Sequence, residues 1–422
     1  MISADRVLLV GGVALVLLAL SSRIAKRFSL SPVLLALGAG VLVGPQVVGL
    51  IDPESVVTRG KLLEQLARVA LALAVFDIAL RTEPSDLRRN ARRIGVLLVI
   101  VMPGMWLLTA LGAGLLLGLP LALALVLGAT LTPTDPGVAS ALVTGILPNR
   151  FLPRGVRMSL QVEAGANDGL ALPFVLFGGL LATLPAGEVL GHWAVEVGRQ
   201  VGIAVAAGVA LGALTHWLTQ AAGVSRLAEE DWFPLASTGV SVAVLALTHL
   251  LGGTGVLAAF VAGLIFSEGL PEDLRQPIHT VHRSVTKVAL TVVFLAFGMV
   301  LPFHQWWPEL GLGGLGFALW TLVMRRFPVG FPTLLASGTG PISSAFIGWS
   351  GPLGVAAIYY LVYIERYRLA DYERLFLAGS LALTVSVLGQ AVTSVLAVHG
   401  YSKMAGTKVG EGEEVDLEGR LP

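Results

Sequence analysis

The chain has no cysteine and little charge, and each absence removes a class of function. Without cysteine there can be no disulfide, no thiolate metal site and no cysteine nucleophile. The seven histidines show no metal-ligand spacing, so we expect no metal or other cofactor. A net charge of +1 gives no basis for binding nucleic acid. Only 13% of the 422 residues are charged, against roughly 25% in a soluble domain.

Long apolar runs take up most of the chain. Hydrophobic residues make up 55% of it and the mean hydropathy is +0.81, which predicts an all-α polytopic membrane protein. A membrane-spanning helix needs about 20 apolar residues. We predict thirteen spans, at residues 5–22, 31–51, 62–80, 94–117, 119–145, 157–183, 189–220, 233–251, 253–268, 285–302, 311–336, 341–363 and 374–398. Residues 401–422 are polar, glycine-rich and acidic, which predicts a short disordered cytoplasmic tail.

Lysine and arginine are concentrated in alternate loops. The loops that contain them are 23–28, 81–93 and 146–157, whereas 118–120 and 184–188 contain none. The positive-inside rule makes the first set cytoplasmic. We therefore expect the N-terminus outside the cell membrane and the C-terminus in the cytoplasm. Loop 364–374 departs from the rule, because it holds three arginines yet is predicted to face outward.

Two predicted spans contain helix-breaking segments near their middle. In the fifth span, Pro136 follows Asp135 within Thr132-Pro133-Thr134-Asp135-Pro136, and it removes a backbone donor and disfavours helix at the preceding residue. In the twelfth span, Gly351 and Pro352 have the same effect. Irregular backbone at membrane depth survives only where it is buried in protein or lines a cavity. Such interrupted segments in two halves of a chain point to the binding site of a transporter.

Polar and ionisable side chains at mid-membrane depth are the candidate site. They are Thr132, Thr134 and Asp135 in the fifth span, and Glu163, Asn167 and Asp168 in the sixth. Ionisable groups are costly there, so they indicate function. Their hard oxygen atoms suit Na⁺, Li⁺, K⁺ or a proton. We predict that Asp168 and Asp135 bind cation and proton alternately. The structural alternative is that they neutralise arginines or cap the broken helices.

Other charged residues have simpler interpretations. Two arginines, Arg325 and Arg326, lie inside the eleventh span and require an acidic partner, for which Glu163 is the buried candidate. Asp77 ends the third span, either paired with Arg81 four residues on or placed at the mouth of a cavity. Two more pairs within one helix are predicted, Glu64 with Arg68 and Glu196 with Arg199.

Several motifs, taken in order and spacing, resemble the monovalent cation:proton antiporters, in particular the sodium/proton exchanger (NhaP-like) branch. The resemblance covers nearly all spans. It is carried by Ser31-Pro32 with Gly38, Gly40, Gly44 and Pro45, by Phe76-Asp77-Ile78-Ala79-Leu80, by Thr134-Asp135-Pro136, by the Glu-x-x-x-Asn-Asp-Gly run from Glu163 to Gly169, by Leu257 to Leu264, by Phe297-Gly298-Met299 and by Gly348 to Pro352.

This resemblance implies a role for each matching residue. Asp168 would be the essential ion- and proton-binding carboxylate, with Asp135 and Thr134 completing a Na⁺ site. Asn167 stands where the electrogenic branch has Asp, which implies electroneutral exchange. Glu163 with Arg325 would be a structural ion pair, and Arg325 is preferred to Arg326 because its spacing to Val329 matches the family pattern.

The resemblance also implies an architecture. The family fold is a homodimer in which each protomer has inverted repeats, a dimer-forming domain and a six-helix core with two crossed, unwound helices. Here the membrane domain would cover 1–400, with core spans within 62–183 and 285–398. Two positions depart from the pattern, since Ala164 replaces a frequent Ser ligand and Leu353 follows Pro352 where many relatives have Arg.

Three other functions are alternatives to sodium/proton exchange. One is K⁺-selective proton exchange and another is organic-anion symport on the same scaffold, which would need a cationic cavity that only Arg325 and Arg326 could supply. The third is an intramembrane enzyme, and for it the sequence offers no nucleophile–base pair or metal motif. Coupled transport is the function that explains Asp135 and Asp168 together.

Overall fold

The computed structural model describes residues 11–13, 16, 32–50, 61–135, 151–221, 233–268, 270 and 272–405. Within these residues every regular element is a helix, as the apolar runs predict. Sixteen α-helices are described and are numbered here in chain order: α1 Pro32–Val43, α2 Lys61–Leu80, α3 Pro84–Val96, α4 Met102–Leu117, α5 Leu121–Thr130, α6 Arg154–Leu170, α7 Leu172–Thr183, α8 Ala186–Ala221, α9 Phe233–Leu250, α10 Gly255–Glu268, α11 Glu272–Val300, α12 Phe303–Val323, α13 Phe327–Ala336, α14 Pro341–Trp349, α15 Val355–Tyr363 and α16 Tyr372–Ala405.

The predicted spans correspond to these helices wherever the structure describes them. Five continuous helical stretches are long and apolar enough to cross a membrane: Pro84–Leu117, Arg154–Thr183, Ala186–Gln220, Leu274–Val300 and Tyr372–Met404. The first of these joins α3 to α4 through a π-helical turn at Leu97–Val101. The weakest predicted division, between the eighth and ninth spans, is confirmed, because α9 ends at Leu250 and α10 starts at Gly255. Gly252 takes a left-handed conformation between them, with φ of 81°.

Several predicted boundaries are wrong. The second span ends as a helix at Val43, and the fourth begins at Pro84, within the predicted loop 81–93. The eleventh span is two helices, α12 and α13, because the turn at Met324–Arg326 and Pro328 interrupts it. The tenth extends towards the N-terminus to Glu272. The tail predicted from 401 is helical up to Ala405, where Tyr401 is buried against Phe346. Residues 406–422, and the predicted first span apart from residues 11–13 and 16, lie outside the described residues.

Small residues let the helices approach closely. A Cβ atom on Gly40 of α1 would overlap with the main chain of Leu295 on α11, and one on Gly298 would lie 3.0 Å from the Cα of Gly40. On another face, a Cβ on Gly128 of α5 would lie 2.9 Å from the backbone nitrogen of Ala110 on α4. Contacts between backbones of this kind replace the hydrophobic driving force that lipid removes.

The arginine-rich loops meet at one end of the bundle. Arg154, at the start of α6, pairs with Glu83 and Asp86 at the start of α3, at 3.0 and 2.8 Å. Arg81, the first residue after α2, lies at this same end of the bundle. The opposite end of α2 carries Glu64, whose partner lies in the turn after α15. This arrangement agrees with the alternation of loop charges in the sequence.

Candidate functional site

The two predicted helix breaks lie against each other. Helix α5 stops at Thr130, and residues 132–135 are non-helical. Helix α14 stops at Trp349, and α15 resumes only at Val355. The backbone nitrogen of Asp135 donates to the carbonyl of Pro352 at 2.9 Å, which joins the two irregular segments. Both breaks are confirmed, although Pro136 and the continuation of the fifth span lie outside the described residues.

Arg325 fills the space between the breaks. Its guanidinium donates to the carbonyls of Leu131 and Thr132, at 2.7 and 3.1 Å, and also to the carbonyl of Gly351. These carbonyls lie at the C-terminal ends of α5 and α14, where unpaired oxygen atoms and the helix dipole favour a positive charge. The buried cation therefore holds together two helix ends that would otherwise repel each other.

The predicted ion pair of Glu163 with Arg325 is wrong, because Glu163 pairs with Arg326. Arg326 donates to both carboxylate oxygens, at 2.9 and 3.1 Å, and its Nε donates to the carbonyl of Ile347. The two arginines lie in the tight turn between α12 and α13, so adjacent side chains point in different directions. Spacing to Val329 could not identify the partner, because that turn removes the helical register.

A hydrogen-bonded network connects the first break to α6. The amide nitrogen of Asn167 donates to the hydroxyl of Thr134 and to Glu163, both at 2.8 Å. The backbone nitrogen of Thr134 donates to the amide oxygen of Asn167 at 3.3 Å. All three side chains are buried. Thr134 and Asn167, two predicted ion ligands, therefore also hold the unwound segment in place.

Asp135 caps the second broken helix. One of its carboxylate oxygens accepts a hydrogen bond from the backbone nitrogen of Val355, the first residue of α15, at 2.9 Å. Gly354 makes room for it, since a Cβ atom at that position would overlap with the carboxylate. The alternative of a capping role thus applies to Asp135, alongside any role in ion binding.

Asp168 is a buried carboxylate with unused bonding capacity. It is 2% exposed, and within the described part of the chain its Oδ1 atom has no hydrogen-bond partner. Its charged neighbours are Asp135 and Glu163. Asn167 precedes it, but a step of about 100° around the helix turns Asp168 away from the Glu163 network. An uncompensated buried carboxylate is costly unless it binds a proton or a cation.

Within the described part of the chain, five buried ionisable groups lie around the two breaks. Three are carboxylates, Asp135, Glu163 and Asp168, and two are guanidiniums, Arg325 and Arg326. The described groups therefore leave one negative charge without compensation when all are ionised. One monovalent cation or one proton would neutralise it.

Asp77 lies near the C-terminal end of α2, where the predicted pair with Arg81 is present and a place at the mouth of a cavity stays a prediction. Its Oδ2 atom pairs with Arg81. Its Oδ1 atom is buried and has no partner among the residues that the structure describes.

A second polar region lies at the other end of the bundle. A cavity of about 240 Å³ is lined by Arg68, Glu196, Arg199, His249, Tyr363 and Arg366, among others. Leu172, four residues after Asp168, also lines it. The predicted Glu196–Arg199 pair is confirmed at 2.6 Å. The predicted Glu64–Arg68 pair is wrong, because Glu64 pairs with Arg366 at 2.7 Å.

Comparison with known proteins identifies what the chain is similar to. It matches the family model described as "Sodium/hydrogen exchanger, transmembrane" over residues 13–398. It is 26% identical over 382 residues to a "Na(+)/H(+) antiporter" of Schizosaccharomyces pombe, covering 86% of this chain and 81% of that protein. It is 26% identical over 411 residues to "K(+)/H(+) antiporter NhaP2" of Shewanella oneidensis, covering 94% of this chain and 67% of that protein.

The fold has a counterpart among solved structures. The sodium proton antiporter MjNhaP1 from Methanocaldococcus jannaschii at pH 8 matches with a TM-score of 0.77 and 19% identity, covering 95% of this chain and 100% of that one.

The chain spans less than half the length of three further fungal relatives, at 41%, 47% and 33%.

Proposed function

The chain belongs to the sodium/hydrogen exchanger family, and from this premise we propose that it exchanges one monovalent cation for one proton at Asp168. Members of the family are transmembrane transporters, so the chain is a multi-pass membrane protein and not an enzyme. Sodium is the first candidate cation, with lithium and potassium as alternatives.

The single observation that carries the proposal is the uncompensated charge at Asp168. Glu163 is satisfied by Arg326, and Asp135 accepts a bond from Val355. Asp168 is buried and retains a free oxygen atom among the described residues. Binding of a proton or a cation therefore lowers the free energy more at Asp168 than at Glu163 or Asp135.

Competition for this carboxylate would couple the two ion flows. A bare carboxylate is costly to carry through a low-dielectric region. The site can therefore change its access from one side to the other only when Asp168 holds a proton or a cation. Movement of the core helices relative to the remaining helices would provide the alternating access. No covalent chemistry is required.

The charge count supports electroneutral exchange. Asn167 contributes no charge, so one negative charge remains among the five buried ionisable groups, and either substrate neutralises it alone. Carboxylate oxygens of Asp168 and Asp135 are the proposed cation ligands, with Thr134 as a third. Ala164 lies one helical turn before Asp168 and supplies no hydroxyl there.

The setting in the membrane follows from the loop charges. The pairing of Arg154 with Asp86 gathers two arginine-rich loops at one end, which supports a cytoplasmic location for that end. The N-terminus would then lie outside the cell membrane and the C-terminus in the cytoplasm. Asp77, near this end, is proposed to lie at the mouth of the cytoplasmic access path. A homodimer with separate dimer-forming and core regions is proposed from the family resemblance.

An Asp168→Asn variant tests the proposal. The purified protein is reconstituted in proteoliposomes, and cation-driven proton flux is followed with a pH-sensitive dye. We expect the variant to lose exchange, because the neutral amide can neither bind a proton nor neutralise a cation. Asp371→Asn, on an exposed loop, is the matched control and should exchange normally. Undiminished flux in Asp168→Asn would overturn the assignment.

The same assay separates the alternatives. Na⁺, Li⁺, K⁺ or an organic anion is added in turn, and the ion that dissipates the pH gradient is the substrate. Potassium is a real alternative, given the name of the Shewanella relative. An organic anion is disfavoured, because both buried guanidiniums are occupied, Arg325 by carbonyls and Arg326 by Glu163.

A further inference from the structure

A tyrosine hydroxyl is inserted into the backbone of the helix that carries Asp168. Tyr360 donates its hydroxyl hydrogen to the main-chain carbonyl of Asp168 at 2.7 Å. The backbone nitrogen of Leu172 lies near the same hydroxyl. Asp168 and Leu172 are four residues apart, the separation of an ordinary helical hydrogen bond. The tyrosine therefore occupies the position at which this helix would bond to itself.

The insertion coincides with an interruption of the helix. Helix α6 ends at Leu170 and α7 begins at Leu172, with Ala171 in a turn between them. Pro173 has no backbone hydrogen to donate to the preceding turn. The carboxylate of Asp168 thus lies within one turn of this interruption, on the residue whose backbone carbonyl bonds to Tyr360.

Tyr360 belongs to the helix that Asp135 caps. It lies on α15, whose first residue donates to the Asp135 carboxylate. Its ring is 1% exposed and packs against Tyr359 and Tyr363, with ring centroids 4.9 and 6.2 Å away. The hydroxyl is therefore fixed in position, and it joins the helix anchored by Asp135 to the helix that carries Asp168.

We propose that Tyr360 is a positioning residue that sets the distance between the Asp168 and Asp135 carboxylates for cation binding. This inference rests on the proposed function of Asp168. A proton needs only one oxygen atom, whereas a cation needs several oxygens at fixed separations. Loosening the link between the two helices therefore weakens cation binding more than protonation.

Tyr360→Phe removes the hydroxyl and keeps the ring. In proteoliposomes we expect the KM for the cation to rise about fivefold, the effect of losing one ordinary hydrogen bond, while the maximal rate changes less. Because the cation then competes less well with protons, the acidic edge of the pH profile at fixed cation concentration should move to higher pH. Thermal stabilisation by the cation, compared between the detergent-purified variant and wild type, measures the change in cation affinity without transport.

Tyr401→Phe is the matched control. Tyr401 is also buried, and its hydroxyl lies 3.0 Å from that of Ser343, away from α6. This variant should keep the wild-type KM and pH profile. The inference is overturned if Tyr360→Phe retains both, or if both variants change them equally. Failure of the proposed function would look different, because the wild-type protein would then show no exchange or Asp168→Asn would retain it.

Discussion

Glu163 accepts two hydrogen bonds from Arg326, and both residues are almost completely withdrawn from solvent, with 1% and 3% of their surface exposed. The pair links α6 to the turn between α12 and α13. Because Asn167 also donates to Glu163, the carboxylate of Glu163 is already bonded and is not available to an ion at the proposed site. The role of the pair is to hold α6, the helix that carries Asp168. Its two charges cancel each other, so they do not compensate the charge of Asp168.

Removing Arg326 should therefore lower the stability of the folded protein, and not only its rate of transport. Arg326→Ala leaves Glu163 as a buried charge without its main partner, which costs about 3 to 5 kcal/mol. We expect a large fall in the thermal unfolding temperature of the detergent-purified protein and loss of most of the folded fraction.

The double variant Glu163→Gln with Arg326→Ala, compared with each single variant, is the control for this prediction. It removes both charges together, so no unpaired charge stays buried. It should recover much of the stability that Arg326→Ala loses, as a coupling between the two sites in a double-mutant cycle. The pair is not structural if Arg326→Ala unfolds at the wild-type temperature, or if the double variant loses as much stability as Arg326→Ala.

Arg325 should tolerate even a conservative change poorly. Its planar guanidinium donates to carbonyls of two different helix ends, which the single ammonium of lysine cannot reach together. Arg325→Lys is expected to cost about 1 to 3 kcal/mol for each buried carbonyl left unsatisfied, measured by thermal unfolding. Arg199→Lys, in an exposed pair, makes the same substitution and should leave the thermal unfolding temperature almost unchanged.

A good part of this site could be read from the sequence, for physical reasons. Apolar length predicts the spans, and Pro or Gly at mid-membrane depth predicts both breaks, because these residues act on the local backbone. The cost of burying charge singles out Asp168 and Asp135. None of these arguments requires knowledge of which helices are neighbours.

Pairings across the fold could not be read in the same way. Whether Arg325 or Arg326 meets Glu163 depends on a tight turn that reorients adjacent side chains. Glu64 meets Arg366 rather than Arg68 because a distant turn brings a guanidinium closer than the helix does. Tyr360 gave no signal at all, since a tyrosine in an apolar helix looks like packing until the opposite backbone is known.

Ala164 offers a gain-of-affinity test of the site. It is buried and lies four residues before Asp168, hence on the same face of α6. Ala164→Ser would add a hydroxyl oxygen beside the carboxylate. We expect the KM for Na⁺ to fall about fivefold, equivalent to about 1 kcal/mol for one added polar contact, measured in proteoliposomes.

Ala166→Ser is the control for the added hydroxyl. Ala166 is buried on the same helix but lies about 200° around it from Ala164. Its variant should leave the KM for Na⁺ unchanged. If both serine variants lower the KM equally, or neither does, then the face of α6 that carries Asp168 does not contact the cation.

The Glu64–Arg366 pair is expected to restrain the end of the bundle opposite the pairing of Arg154 with Asp86. Glu64 lies near the start of α2, and Arg366 lies in the turn after α15, stacked 3.5 Å over the ring of Tyr363. Arg68, one turn along α2, has a buried Nε atom with no hydrogen-bond partner in the described part of the chain. Glu64 can thus exchange Arg366 for Arg68 when the two elements separate, so its carboxylate would keep a partner in both positions.

Glu64→Gln should therefore open the cavity that Arg68 and Arg366 line more often. Because the chain has no cysteine, a single cysteine at Thr254, which lines that cavity, reports access to a membrane-impermeant maleimide. We expect Glu64→Gln to raise the labelling rate about two- to fivefold, the range for losing a partly exposed ion pair. Glu196→Gln breaks a pair within one helix, which cannot hold two elements together, and should leave the rate unchanged. Equal labelling in all three backgrounds would mean that Glu64 and Arg366 do not restrain opening.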